Sequence, residues 1–158
     1  MEINNFIKIY DDILPLEVVS DIIVWSNKTS FQDAGIVGGE NESVVHKKTR
    51  KAKSLALDSQ QKSLTNVHFA RILGNIFSEY IQKYFKDLEI PGQIQGIKAI
   101  TDILILKYEE GGHYIWHTDH AGGKIPRTLS CILFLNNDYE GGNLMFRDPN
   151  LKNEMSID

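Results

Sequence analysis

A single cysteine, Cys131, is all the thiol this chain contains, so it can form no disulfide within itself. The simplest reading is a reducing compartment. Basic charge is not in excess: 17 Lys and Arg stand against 21 Asp and Glu, for a formal net charge of −4. That balance argues against a protein that binds nucleic acid through overall positive charge. No apolar run approaches the roughly 18 residues that a membrane span needs. The first residues, MEINNFIKIYDD, lack the basic start and long apolar stretch of a signal peptide. The expected location is the cytoplasm, with no membrane and no nucleic-acid partner. Internal repeats, low-complexity segments and linkers are also lacking.

What is present suits one globular domain. At 158 residues, 42% hydrophobic and 24% charged, the chain can build one core but not comfortably two. Residues 5–10, NFIKIY, alternate well enough for a short strand. Pro15 suits the start of a helix, and Val18, Val19, Ile22 and Ile23 follow helical spacing, which predicts a helix over about 15–27. Residues 31–46 read as a loop broken by Gly35, Gly38 and Gly39, which could cover an extended substrate. The run KKTRKAKS follows. It reads either as a solvated basic segment or as a basic rim that meets an acidic group. The clearest pattern lies in 63–85. Phe69, Ile72, Leu73, Ile76, Phe77, Tyr80, Ile81 and Tyr84 make one apolar stripe of a helix packed on a sheet. Pro91-Gly92 predicts a turn after it.

From residue 97 the pattern changes to short β runs separated by Gly-rich turns. Helices first and strands afterwards predict a mainly β, α+β domain with N-terminal helices packed against a sheet or barrel. A single domain over 1–158 is expected, with 1–95 as its N-terminal support.

Three of the five histidines fall within HYIWHTDHAGGK, residues 113–124. If 113–119 is a strand, His113, Ile115, His117 and Asp119 share a face. His117 and Asp119 are then about 6.5 Å apart along the strand, and an imidazole nitrogen and a carboxylate oxygen could converge on a borderline divalent metal. His120 would point away. A helical site built on His113 and His117 is disfavoured by the flanking glycines and by the lack of Glu between them. H-x-D alone is a weak signal: His117 could equally be a hydrogen-bonded strand residue, with Asp119 opening a turn.

The flanks add specificity. Tyr108, then Gly111 or Gly112, Tyr114, His117 and Asp119 come in order, followed by Arg127 with Ser130, FLN at 134–136, and Glu140-Gly141-Gly142. This run of about 40 residues resembles the iron(II)- and 2-oxoglutarate-dependent dioxygenases, in particular their prolyl 4-hydroxylase-like branch. The resemblance implies a double-stranded β-helix, a jelly-roll, cupin-like barrel, whose first part is residues 97–158. It implies Fe(II), 2-oxoglutarate and O2, with ascorbate as a supporting reductant. It makes His117 and Asp119 the first two iron ligands and places Tyr108 in the 2-oxoglutarate pocket. Tyr114 would be wall packing and Arg127 structural. Phe134 stands where some relatives have a Tyr. The implied reaction hydroxylates a C–H bond, in this branch on a prolyl residue of a peptide or protein, while 2-oxoglutarate becomes succinate and CO2. The same chemistry on a free amino acid or small molecule is one alternative. An inactive barrel fragment that serves as a binding module is the other.

One element of the pattern is missing. No histidine follows His120, so neither the family's distal His ligand nor the basic residue about ten positions beyond it is present. The expectation is that the sequence is a fragment whose barrel lacks its last strands, because a barrel ending here would expose sheet edges. A longer product would then carry a His followed about ten residues later by Lys or Arg.

Overall fold

The computed structural model describes residues 3–37, 43–58, 60, 62–89, 100, 103–119, 127–147 and 154–157. Helix α1 spans Leu16–Asn27 and α2 spans Leu64–Asp87. Pro15 is the residue before α1, and its carbonyl accepts from the Val18 and Val19 amides at 3.0 and 3.1 Å. At α2 the Ser63 hydroxyl accepts the Asn66 amide at 3.3 Å, which satisfies one of the donors left over at a helix start. The apolar stripe expected on α2 is buried or half-buried throughout, and Ala70 and Phe85 widen it.

The core explains why these elements assemble. Ile22 of α1 meets Phe69, Ala70 and Leu73 of α2. Beneath them lie Leu57 of strand β5 (Lys53–Leu57) and Ile105 of β6 (Ile103–Lys107). Strand β1 (Gln32–Asp33) completes an antiparallel sheet in the order β1-β5-β6. Asn66 is buried but paired on both ends of its amide. Its oxygen accepts the Asp58 amide at 2.8 Å and its nitrogen donates to the Ala56 carbonyl at 3.0 Å. Helix α2 is thereby pinned to the end of β5.

Three further pairs are small and antiparallel. Strands β2 (Ile36–Val37) and β3 (Ser43–Val44) pair with each other. So do β4 (Arg50–Lys51) with β7 (His113–Tyr114), and β8 (Leu144–Arg147) with β9 (Glu154–Ile157). The result is an α+β arrangement of two helices and small sheets. The closed jelly roll implied by the resemblance does not form among the described residues. Residues 132–136 show why. Leu133 and Leu135 pack on the core while Ile132, Phe134 and Asn136 are exposed, the alternation of a strand over 132–136, with Cys131 exposed ahead of it. Yet the segment joins no ladder among the described residues.

Two local expectations are corrected. Residues 5–10 form no strand: a 3-10 turn covers Ile3–Phe6 and the chain then runs irregularly. Side chains of α2 hold this segment in place of a ladder, with the Tyr84 hydroxyl donating to the Phe6 carbonyl at 2.8 Å and Tyr10 donating to Asp87 at 2.9 Å. The span 31–46 is not all loop, because it contains β1, β2 and β3. The centre of that span and the Pro91-Gly92 turn lie outside the described residues. No helix among the described residues is long and apolar enough to cross a membrane.

Candidate metal centre

The site is built where β6 turns back into β7. Gly111 holds φ at +68°, and the Gly112 amide donates to the Glu109 carbonyl at 2.7 Å. A side chain on Gly112 would put its Cβ 2.7 Å from that carbonyl oxygen and 3.1 Å from that of Lys51, so only glycine fits the turn. The turn sets β7 against β4, with Arg50 opposite Tyr114 and Lys51 opposite His113. The Ile115 amide extends the pairing by donating to the Thr49 carbonyl at 3.0 Å.

There the ladder stops. Residues 113–119 are not one strand, because the chain bends at Trp116. His117 and Asp119 therefore meet through the bend and not through strand alternation. The His117 Nε2 lies 3.4 Å from Asp119 Oδ1. The other nitrogen, Nδ1, donates to the Ile115 carbonyl at 2.8 Å, since a carbonyl can only accept. In a neutral imidazole that bond leaves Nε2 as the nitrogen able to bind a metal. Asp119 is held in the same way: the Ser130 hydroxyl donates to Oδ2 at 2.5 Å, leaving Oδ1 on the His117 side. Both side chains stay partly open to solvent, at 37% for His117 and 43% for Asp119.

The surroundings are aromatic and cationic. The Tyr114 ring stacks on the His117 imidazole, with centroids 3.6 Å apart and planes 18° from parallel. The Arg50 guanidinium lies 4.7 Å from the Tyr114 centroid. Burial pushes the Tyr114 phenol above its ordinary value, Arg50 and Arg127 oppose that rise, and Asp119 and Tyr108 add to it. These five side chains thus share one electrostatic neighbourhood. Beside it, the Arg147 guanidinium lies 4.6 Å from the exposed Trp116 ring and ties β8 to the bend.

Tyr108 follows the end of β6 and is about half-exposed. His113 takes no part, because its ring nitrogens face the carbonyls of Gly111 and Lys48 at 3.3 Å each. His120 lies outside the described residues. No group of three or more His, Cys, Asp or Glu able to hold a metal occurs among the described residues. The present donors thus fit two positions of a two-His, one-carboxylate site and leave one to be supplied.

Two contributors have roles that the sequence did not disclose. Ser130 orients the carboxylate, and Arg50 braces the aromatic ring. The basic run was the only signal for Arg50. Three of its four lysines are engaged at the surface: Lys47 pairs with Asp33 at 2.9 Å, Lys53 with Glu109 at 3.3 Å, and Lys51 donates to the Glu110 carbonyl at 3.4 Å. Arg50 instead turns to the Tyr114 ring and the Gly35 carbonyl.

Residues 103–158 match the model of the 2OG-Fe(II) oxygenase superfamily. No curated protein and no solved structure matches the chain significantly. The matched segment contains Tyr108, His117, Asp119 and Ser130, and takes in β6, β7, β8 and β9. It supports a place in that superfamily and a general dioxygenase function that uses iron(II), 2-oxoglutarate and O2.

Proposed function

We propose that this chain carries the proximal half of the iron site of a 2-oxoglutarate-dependent hydroxylase acting on a prolyl residue in a peptide or protein. The observation that carries the proposal is the His117–Asp119 pair. Its two donors lie 3.4 Å apart, and the far atom of each is occupied by a hydrogen bond to Ile115 or Ser130. Second bonds of this kind hold metal ligands in one orientation and one protonation state. Iron(II), when bound with 2-oxoglutarate and O2, supplies the hydroxylation of an unreactive C–H bond coupled to release of succinate and CO2.

The protein's own part is to position. His117 would present Nε2, Asp119 would present Oδ1, and the Tyr108 phenol would donate to a carboxylate of 2-oxoglutarate. The third ligand belongs to a position outside the described residues. Ile115 and Trp116, each about half-exposed and next to His117 in the chain, offer an apolar surface on which an extended peptide could lie. The setting we propose is cytoplasmic, with ascorbate as the supporting reductant.

The test is succinate formation from 2-oxoglutarate with iron(II) and ascorbate, by wild type and by Asp119→Ala, with proline-containing peptides and then free amino acids. Peptide-stimulated turnover that is lost in the variant supports the proposal. Stimulation by free amino acids alone would move the substrate to the small-molecule class. Equal background in both proteins would leave a binding module, the reading favoured by the lack of a third donor among the described residues.

A further inference from the structure

Arg50 lies outside the segment matched to the superfamily, yet it is built into the site. Backbone pairing sets it opposite Tyr114. Its Nη1 donates to the Gly35 carbonyl at 3.1 Å, which fixes the guanidinium from the far side. Its Nε is buried and finds no hydrogen-bond acceptor among the described residues. Burying that donor is unfavourable, so hydrogen bonding alone does not account for the arrangement. The compensating contact is the Tyr114 ring, over which the guanidinium sits.

The same ring carries the His117 imidazole. The hydrogen bond from Nδ1 to Ile115 holds one corner of the imidazole. A ring held at one corner can still tilt about that bond and swing Nε2 away from Asp119. A flat surface 3.6 Å below removes the tilt. Tyr114 can serve as that surface only while its own plane is fixed, and Arg50 is the group that fixes it.

We propose that Arg50 and Tyr114 are positioning residues, a guanidinium–phenol–imidazole stack that sets the plane of the His117 ring. The inference rests on the reading of His117 as a metal ligand, and it brings one residue of the basic segment, Arg50, to the site.

Ring-proton NMR on the metal-free protein, with His117 assigned through His117→Gln, tests the stack without any metal. In wild type the His117 ring protons are expected upfield of a free imidazole because of the Tyr114 ring current. Tyr114→Phe keeps the ring and should keep the shift. Tyr114→Leu and Arg50→Met should both lose it while far-UV circular dichroism stays unchanged. Mn(II) titration then reads the consequence. Tyr114→Phe should bind as wild type does, and Tyr114→Leu and Arg50→Met about tenfold more weakly, the usual cost of losing a group that supports a ligand. Unshifted His117 protons in wild type, or Mn(II) affinity that drops in His117→Gln but is equal in wild type, Tyr114→Leu and Arg50→Met, would overturn the proposal. If wild type and His117→Gln take up Mn(II) equally while the upfield shift persists, the stack stands and the iron reading falls.

Discussion

The two faces of strand β6 belong to different regions of the molecule. Ile105 points into the core at 7% exposure, whereas Leu104 and Leu106, on the other face, are 44% and 40% exposed. Every buried residue among those described lies at or before Ile105. Beyond it, in the region that carries His117 and Asp119, Ile115, Trp116, Ile132, Phe134, Tyr139 and Met145 are all exposed. The first region is held by apolar burial, which is non-directional and tolerant of small displacements. The second touches the core through Leu133 and Leu135, and its site is held by directional contacts: Nδ1 of His117 to Ile115, Ser130 to Asp119, Arg50 over Tyr114 and Arg147 over Trp116. Burial fixes the platform, and hydrogen bonds and stacking orient the His117 and Asp119 side chains. Stability and chemistry should therefore respond to different substitutions.

The largest stability effect should come from Phe69→Ala. This side chain is 5% exposed and lies at the junction of α1, α2 and the sheet, so its loss should cost about 3–5 kcal/mol in urea unfolding. Asn66→Ala should cost about 1–3 kcal/mol, because the Asp58 amide and the Ala56 carbonyl lose their partner near the core. Leu106→Ser, on the open face of β6, should stay within about 0.5 kcal/mol of wild type. A loss near that of Phe69→Ala would mean the open face is covered in solution, and the contrast between the two faces would fail.

The smallest effect concerns the N-terminal segment and pH. Burial, with the hydrogen bond to Asp87, pushes the Tyr10 phenol up to about 12, against an unfolded value of about 10. The folded state then holds more protons between those values. The stabilisation is complete below about pH 10 and is lost as pH rises towards 12. Tyr10→Phe should flatten the stability profile within that window and change little near neutrality.

How far the sequence foretold this depends on how local each signal is. Helix α2 was legible because its stripe from Phe69 to Tyr84 needs nothing beyond helix periodicity. The strand expected at 5–10 was not, because a short alternation cannot register that Tyr10 and Phe6 are claimed by α2. The pairing of His117 with Asp119 was foreseen on the assumption of a strand, and the structure brings the two together by a bend. Gly111-Gly112 marked the turn that makes this possible. Arg50 was legible only as charge, since its role depends on β4 pairing with β7 from the far side of α2. The open alternation of residues 132–136 was readable as strand pattern, but a pattern does not name its ladder partner.

The central claim is that His117 and Asp119 act together as metal ligands. Calorimetric titration of Mn(II) into the metal-free chain, with 2-oxoglutarate present, tests it for wild type and for Asp119→Ala. The expected result is saturable binding by wild type and a loss in the variant larger than the roughly tenfold cost of a supporting residue, with the melting temperature unchanged. Equal affinity in the two proteins would contradict the claim.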